Sequence, residues 1–340
     1  MATPTETAAM RRALELAQAV DAPLGPNPRV GCVLLTPDGD VLVEGYGRGA
    51  GERHAEIDAL RRAGSQARGA TAVVTLEPCN HTGRTGPCAL ALRDAGVRRV
   101  VYAQPDRSPW AVGGGAALQA DGVDVEGGVL EDEARMVNPV WTFAVDAGRP
   151  YVTWKFAATL DGRSAAADGS SRWITSPESR ADVHLLRAQC DAVLVGTGTV
   201  LADDPRLTVR DADDRPLERN RQPLRAVMGL REIPRGAAVN DSAAETVRLA
   251  TRDPAEGLAR LFHRGCTHVW LEGGPTLAGA FWKVELVDRV LAYIAPALLG
   301  AGTAALGDAG IDTVDAAVRL EIVDVATVGP DVRLTAVRKG

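Results

Sequence analysis

The chain has 340 residues, enough for two hydrophobic cores at about 100–200 residues each, and its 46% apolar and 24% charged fractions are those of a globular protein. A formal net charge of −6 argues against a phosphate-backbone binder, while leaving room for local cationic pockets that hold a small phosphorylated ligand. Five irregularly spaced cysteines argue against a disulfide scaffold and for a reducing cytosol, Met1 to Val20 lacks the apolar core of a signal peptide, and no run approaches the roughly 18 apolar residues of a membrane span.

The first half alternates helix and strand signals. Glu6 to Ala19 predicts a helix, with Met10, Ala13, Leu14 and Ala17 at helical spacing. Pro23 to Pro28 reads as a turn, Val30 to Leu35 as a strand, and Asp38-Gly39 as a hairpin signal before a strand over Val41 to Tyr46. Helices are expected over Glu56 to Ala63, Cys88 to Ala95 and Ala116 to Ala120, alternating with strands over Ala72 to Leu76, Val97 to Ala103 and Val123 to Val125. A single docking helix is expected over Glu131 to Val145. The pattern is that of an α/β sandwich around a mixed sheet.

A boundary falls near Asp146-Ala147-Gly148-Arg149-Pro150, and a strand restarts at Tyr151 to Lys155. Alternation continues with strands at Ala192 to Val195, Ala226 to Val227, Val247 to Ala250, Val269 to Leu271 and Arg289 to Ala295. Helices are expected at Ala181 to Ala188, Glu256 to Arg264 and Thr276 to Val284, and Leu320 to Val337 reads as strands. The charged, Pro-punctuated stretch Asp211 to Arg225 reads as a solvated loop.

The chemistry is concentrated in a split cluster. His54-Ala55-Glu56 is followed by Glu77-Pro78-Cys79 and, after eight more residues, by Cys88 behind Pro87. A catalytic zinc keeps three protein ligands and leaves a position for water. His54, Cys79 and Cys88 supply three, and Glu56 remains to carry protons between water and a leaving amine. Zinc deaminases share an H-x-E box and a P-C-x-x-C pair. Here the cysteines stand farther apart, and the polar, Gly-rich loop between them offers His81 and Arg84 as substrate groups. The rival readings are a structural zinc with His81 as fourth ligand, or two buried free thiols. Cys32, Cys190 and Cys266 read as small buried residues, His184, His263 and His268 as structural, and Trp110 with Gly113 to Gly115 as a loop beside the cluster.

The run from Thr75 to Cys88, the Pro26-Asn27-Pro28 and Val30-Gly31-Cys32 segments and the His54-Ala55-Glu56 box together resemble the bifunctional deaminase/reductase family of riboflavin biosynthesis. That family deaminates a diaminohydroxyphosphoribosylaminopyrimidine and reduces 5-amino-6-(5-phosphoribosylamino)uracil. The wide gap between the cysteines separates it from nucleoside and tRNA deaminases. The resemblance implies deamination of 2,5-diamino-6-(5-phosphoribosylamino)pyrimidin-4(3H)-one, with Asn27 near the pyrimidine and Glu56 as proton shuttle. It departs from the family after Gly45-Tyr46, where Gly47-Arg48 stands in place of a frequent His, so the contact that His makes is absent or taken over by Arg48.

In the second half, Gly196-Thr197-Gly198-Thr199 invites a dinucleotide fingerprint, but the third glycine is missing and no helix plainly opens there. Glu272-Gly273-Gly274-Pro275-Thr276 lies between a strand and a helix, as an anion-binding turn or a merely tight one. Lys155 to Arg163, Ser171 to Ser176, Leu201 to Arg210 and Glu272 to Ala280 resemble the same family's reductase half, so the resemblance spans nearly the whole chain. It implies a cytidine-deaminase-like α/β/α sandwich over residues 1–148 and a dihydrofolate-reductase-like α/β domain over 149–340, with NADPH as hydride donor. It places Ala157, Trp173, Thr199, Asp203 and Gly274, Pro275, Thr276, Leu277, Ala278, Gly279 and Ala280 at the cofactor. It places Lys155, Ser171, Arg187, Leu207, Arg210 and Glu272 at the substrate, Arg187 and Arg210 suiting its phosphate because a guanidinium binds phosphate through two donors. After the strand at Ala226 the family frequently has Asp-Ser, where this chain has Met228-Gly229. The expected partners are a small phosphoribosylated pyrimidine and a second copy of the chain, with neither nucleic acid nor membrane. The competing functions are a nucleic-acid or nucleoside deaminase with an unrelated tail, and a zinc-stabilised binding protein without catalysis.

Overall fold

In the computed structural model, which describes residues 1–19, 27–49, 52–81 and 86–339, Thr3 starts the first helix, α1 (Pro4–Gln18). Its hydroxyl accepts the Glu6 N–H at 3.2 Å while the Glu6 carboxylate accepts the Thr3 N–H at 2.7 Å, so two orphan donors of the helix end are satisfied reciprocally. The chain divides into two compact units, Met1–Ala147 and Gly148–Gly340. Among the described residues no helix is long and apolar enough to cross a membrane.

In the first unit, β1 (Gly31–Leu35) and β2 (Val41–Tyr46) precede α2 (Ala55–Ala63), β3 (Thr71–Leu76), α3 (Cys88–Asp94), β4 (Arg99–Gln104), α4 (Gly114–Ala120) and β5 (Asp124–Glu126). Two helices follow, α5 (Glu131–Val137) and α6 (Pro139–Ala147). The sheet runs β2-β1-β3-β4-β5, with β1 antiparallel to both neighbours and β3, β4 and β5 parallel. Every residue of β1 is buried because both faces are covered. Cys32 and Leu34 pack with α2, α3 and α4, whereas Val33 and Leu35 pack with α1 and α5. Gly45 lets α2 lie directly on β2: a Cβ there would stand 2.4 Å from the Ala55 carbonyl oxygen. The single helix expected over Glu131 to Val145 is broken at Asn138. Pro139 disfavours helical backbone at the residue before it, and Asn138 instead pairs its side-chain amide with the Arg29 N–H at 2.7 Å and carbonyl at 2.8 Å.

The second unit contains β6 (Tyr151–Thr159), β7 (Arg163–Ala165), α7 (Pro177–Arg187), β8 (Ala192–Gly196), α8 (Thr197–Asp203), β9 (Leu224–Met228) and β10 (Thr246–Leu249). It continues with α9 (Pro254–Phe262), β11 (His268–Leu271), α10 (Pro275–Lys283), β12 (Arg289–Ala295), β13 (Thr303–Ala304), β14 (Leu320–Val328) and β15 (Asp331–Arg338). Eight strands run β10-β9-β8-β11-β6-β12-β15-β14; the first six are parallel, and the β14–β15 hairpin closes the sheet antiparallel. One face carries Trp154, Leu194, Met228 and Leu271 under α9 and α10; the other carries Val193, Val227, Trp270 and Tyr293 with Val183 of α7. A helix does open directly after Gly196, contrary to the sequence expectation: it is the seven-residue α8, whose Thr197-Gly198-Thr199-Val200 start is poor in helix formers and carries a glycine, so it left no local signal. Arg225 does not belong to the solvated loop. It is fully buried on β9, its charge offset by Asp241 at 2.8 Å and by the carbonyls of Arg206, Asp241 and Ala244. The two-stranded β7–β13 sheet had no sequence signal beyond its brevity.

Candidate active sites

In the first unit three elements converge. His54 is the N-cap of α2, in extended backbone and with no capping bond from its side chain, so the imidazole is free to turn elsewhere. Its Nδ1 lies 3.2 Å from Cys88 Sγ and 3.6 Å from Cys79 Sγ. Cys88 is the first residue of α3, and its N–H donates to Cys79 Sγ at 3.4 Å. The three ligand atoms lie within 4.8 Å of one another, and among the described residues no fourth ligand joins them, His81 included. One imidazole nitrogen and two sulfurs around one point are the donor set of a zinc site with an open position. The thiols behave as an unequal pair. A hydrogen bond from Cys88, outweighing burial, draws Cys79 down to about 4, while the same bond and burial push Cys88 well above the ordinary thiol range. His54 is raised, first by its bond to Cys79. Glu56, in the first turn of α2, is 4% exposed, and burial raises its carboxyl against the opposing pull of His54.

The cysteine loop is held by groups that carry no chemistry. Buried Glu77 accepts the N–H of Asp106 at 3.0 Å and of Gly115 at 2.9 Å, tying the loop after β4 and the start of α4 to the residues before Cys79. Gly114 packs so closely that a Cβ on it would lie 1.6 Å from the Pro78 carbonyl oxygen. Trp110 and Ile57 pack on the apolar cluster of Cys79, Cys88 and Ala111. Trp110 thus stands beside the cysteines as expected, but Gly114 and Gly115 open α4 rather than a loop. Glu77 is the residue whose part the sequence did not reveal: its place before Pro-Cys was visible, its two amide partners lie 29 and 38 positions away. Asn27 and His81 are half-buried, and His81 Nδ1 is buried without a partner among the described residues. Arg84 lies outside the described residues. Arg48 stacks on Tyr46, its guanidinium carbon 5.1 Å from the ring centre.

In the second unit a charged cluster lies where α7 crosses the sheet. Glu272 follows β11, Lys155 stands on neighbouring β6, and Arg187 ends α7. One arm of the Arg187 fork donates to Glu272 at 2.6 Å and the other to the Thr208 carbonyl at 2.9 Å, while Lys155 Nζ is 4.0 Å from the same carboxylate. Burial pushes Glu272 up, but the Arg187 and Lys155 charges outweigh it and hold the carboxyl at about 2. Burial lowers Lys155, partly opposed by Glu272. Lys155 also lies over the Tyr293 ring at 5.8 Å. Arg187 is therefore already engaged. Arg210 is the more exposed of the two arginines, its partner the exposed Asp214 at 2.8 Å.

The segment 206–210 is shaped by Leu207, buried at a φ of 55°, and by Gln222, which accepts the Val209 N–H at 2.7 Å and donates to its carbonyl at 3.0 Å. Buried Arg225 holds the Arg206 carbonyl from below, a role hidden in a sequence stretch that looked solvated. Thr199 Oγ1 accepts the Gly274 N–H at 3.3 Å, so the first turns of α8 and α10 lie side by side. Gly274 and Thr276 are exposed, Pro275, Leu277 and Ala280 half-buried. Ala278 faces the core, and Gly279 meets the backbone of Asp308, where a Cβ would stand 2.3 Å from the carbonyl oxygen; these two pack inward. Trp173 is 69% exposed with the Arg180 guanidinium 4.4 Å from its ring centre. Ala157 and Ser171 are half-buried, and exposed Asp203 accepts the Arg172 side chain at its carbonyl.

Residues 4–104 match the cytidine and deoxycytidylate deaminase zinc-binding region, and residues 150–334 match the RibD C-terminal domain. The chain is 47% identical over 333 residues, 97% of each chain, to the riboflavin biosynthesis protein RibD of Mycobacterium tuberculosis. Its structure is similar to that of Acinetobacter baumannii RibD, with a TM-score of 0.83, 37% identity and 99% of each chain covered. It is also similar to a diaminohydroxyphosphoribosylaminopyrimidine deaminase/5-amino-6-(5-phosphoribosylamino)uracil reductase of Thermotoga maritima, with a TM-score of 0.76, 30% identity and 98% of this chain covered.

Proposed function

The chain belongs to the RibD family of bifunctional riboflavin biosynthesis proteins, and from that premise we propose that each activity is carried by one domain, deamination by residues 1–148 and reduction by 149–340, a boundary one residue from the division between the compact units. The enzyme deaminates 2,5-diamino-6-(5-phosphoribosylamino)pyrimidin-4(3H)-one as a zinc hydrolase and reduces the ribosylamino side chain of the product to ribitylamino with NADPH. The first unit has the cytidine-deaminase-like fold and the second the dihydrofolate-reductase-like fold. The observation that carries the reading is the His54, Cys79 and Cys88 cluster with buried Glu56 beside it.

In the deaminase unit His54, Cys79 and Cys88 hold zinc, which when bound supplies the Lewis acidity that lowers the pKa of water from about 15.7 towards about 7. Glu56 would take a proton from the attacking water on its carboxylate and return it to the departing amine. Its burial favours the protonated form, as a donor to that nitrogen requires. Asn27, His81 and Arg84 bind the pyrimidine. In the reductase unit NADPH supplies hydride. Thr199, Asp203, Ala157, Trp173 and the first turn of α10 hold the cofactor. Glu272, kept ionised by Arg187, holds Lys155 as a cation that can give a proton to the opening ribosyl oxygen. Arg210 takes the substrate phosphate, with Ser171 and Leu207 beside it.

We place the enzyme in the cytoplasm as a homo-oligomer acting on small molecules, with neither nucleic acid nor membrane as a partner. Five free buried cysteines and the net charge of −6 support the compartment and the choice of partners. Edge strand β14, with Ile322, Val323 and Val325 exposed, supports pairing with a second copy.

Assaying the half-reactions separately tests the division of labour. Glu56→Gln is expected to abolish ammonia release while sparing NADPH oxidation on the deaminated substrate, and Asp203→Asn to do the reverse. Parallel loss of both activities in either variant would overturn it.

A further inference from the structure

The carboxylate that faces Lys155 attracts it without gripping it. Lys155 Nζ stands 4.0 Å from Glu272 Oε1, beyond hydrogen-bond reach, so this contact alone does not fix where the ammonium points. Arg187, which donates to Glu272 Oε2 at 2.6 Å, opposes the ammonium with a charge of its own sign. The Lys155 side chain keeps 19% of its surface, an opening on an otherwise buried group.

Another wall of this pocket is a ring. Lys155 on β6 pairs with Leu291 on β12, and Tyr293 lies two residues farther along β12, on the same face of the sheet. Its ring centre is 5.8 Å from Lys155 Nζ, within the distance at which the negative face of an aromatic ring attracts a cation. Such an attraction is strongest where water is excluded, and Tyr293 is fully buried.

Tyr293 sits in the core among Val193, Trp270 and Leu291, where an apolar side chain would serve for packing alone. Its hydroxyl is instead built into an ion pair. It donates to Asp182 Oδ2 at 2.6 Å, and the Arg333 guanidinium donates to both oxygens of Asp182, at 2.8 Å and 3.1 Å. Arg333 reaches on to Asp324 at 3.1 Å. Residues of α7, β12 and β15 thus fix one ring, and α7 also carries Arg187 to Glu272. Burial and the bond to Asp182 push the phenol up, so it stays a donor and the ring carries no charge. The charges acting on Lys155 are therefore Glu272 and Arg187. His184 on α7, close to both, is pushed down to about 4, first by burial, and is neutral at neutral pH.

We propose that Tyr293 is a positioning residue for reduction: its ring face, locked by Asp182 and Arg333, holds the Lys155 ammonium in place against Glu272. The inference rests on the reading of Lys155 as the proton donor to the opening ribosyl oxygen.

The test supplies the full-length enzyme with the deaminated substrate and NADPH and measures kcat and KM across pH. Two rings of nearly equal shape are compared at one position. Tyr293→Phe keeps the negative face and is expected to lower kcat by about threefold, the loss of one hydrogen bond. Pentafluorophenylalanine installed at the same position keeps the shape and reverses the charge of the face. It is expected to lower kcat by about tenfold more and to move the alkaline limb of kcat down by about one pH unit, because the cation loses a favourable partner. KM for NADPH stays within about twofold in both, a check that the reductase unit is folded. Equal rates and equal limbs for the two rings would overturn the proposal, as would a loss that falls on KM alone. Lys155→Met separates the proposal from the reading beneath it. If Lys155→Met loses reduction while the two rings behave alike, Tyr293 has no such role and Lys155 remains the donor. Full reduction by Lys155→Met would overturn both.

Discussion

Replacing Gly114 by alanine tests how the zinc cluster is held. The new Cβ would lie 1.6 Å from the Pro78 carbonyl oxygen, whereas ordinary contact begins near 3.4 Å. Either the start of α4 or the Pro78 peptide must therefore move by roughly 1.8 Å, the difference of those two distances. The neighbour is backbone, not the end of a flexible side chain, so the strain is not easily absorbed. Pro78 adjoins Cys79, and Glu77 ties the same segment to Gly115, so the displacement falls on a zinc ligand. Overpacking of this kind costs about 1–3 kcal/mol, and misplacing a reacting group by about 1 Å costs on the order of a hundredfold in rate. Gly114→Ala is expected to lower zinc content below about one per chain and to reduce ammonia release by about a hundredfold or more. NADPH oxidation with the deaminated substrate supplied directly should be unchanged. Metal analysis and the two half-assays read this out. Full zinc content with undiminished deamination would refute the close packing of α4 on the cysteine loop.

Arg187→Met strands the Glu272 carboxylate with Lys155 4.0 Å away as its remaining cation. Breaking a buried pair costs about 3–5 kcal/mol, so denaturant unfolding should show a loss of that size together with loss of reduction; a change under about 0.5 kcal/mol would mean that the pair is a surface contact. His268 shares a hydrogen bond with Thr153 Oγ1 at 2.9 Å, and burial, aided by Arg289, pushes it down to about 4 from its ordinary 6.5. Between those values the unfolded chain holds a proton there that the folded chain does not, so this group's contribution is complete above pH 6.5 and is lost as the pH falls towards 4. The loss amounts to about 3 kcal/mol at most. An imidazole signal of His268 that titrates near 6.5 would contradict it.

The α/β alternation was legible because buried strands and amphipathic helices leave periodic traces, and β2, β8 and β12 lie close to their sequence boundaries. Elements with weak local propensity left none: α8 opens on Thr197-Gly198-Thr199-Val200 and β7 and β13 are only three and two residues long, and Pro139 was read through although it disfavours helix at Asn138. The zinc cluster was legible because its residue types carry the chemistry by themselves. His54 and Cys88 occupy helix starts, as their Glu-rich and Pro-led surroundings suggest. Side-chain partnerships distant in sequence were not legible. The sequence offered Arg187 as a phosphate-binding group but did not show its partner Glu272, 85 positions away. Arg225 looked solvated until its carbonyl partners appeared around it. The gap between Cys79 and Cys88 pointed away from nucleic acids, but the residues that hold the cysteines in place, Glu77 and Gly114, are visible only in three dimensions.

The most direct test of the central claim is to mix the purified enzyme with 2,5-diamino-6-(5-phosphoribosylamino)pyrimidin-4(3H)-one and NADPH and to follow ammonia and NADPH in the same reaction. Ammonia should appear first, with NADPH consumption following until equal amounts have turned over. NADPH oxidation without ammonia release, or ammonia release that never draws on NADPH, would contradict two consecutive reactions on one chain.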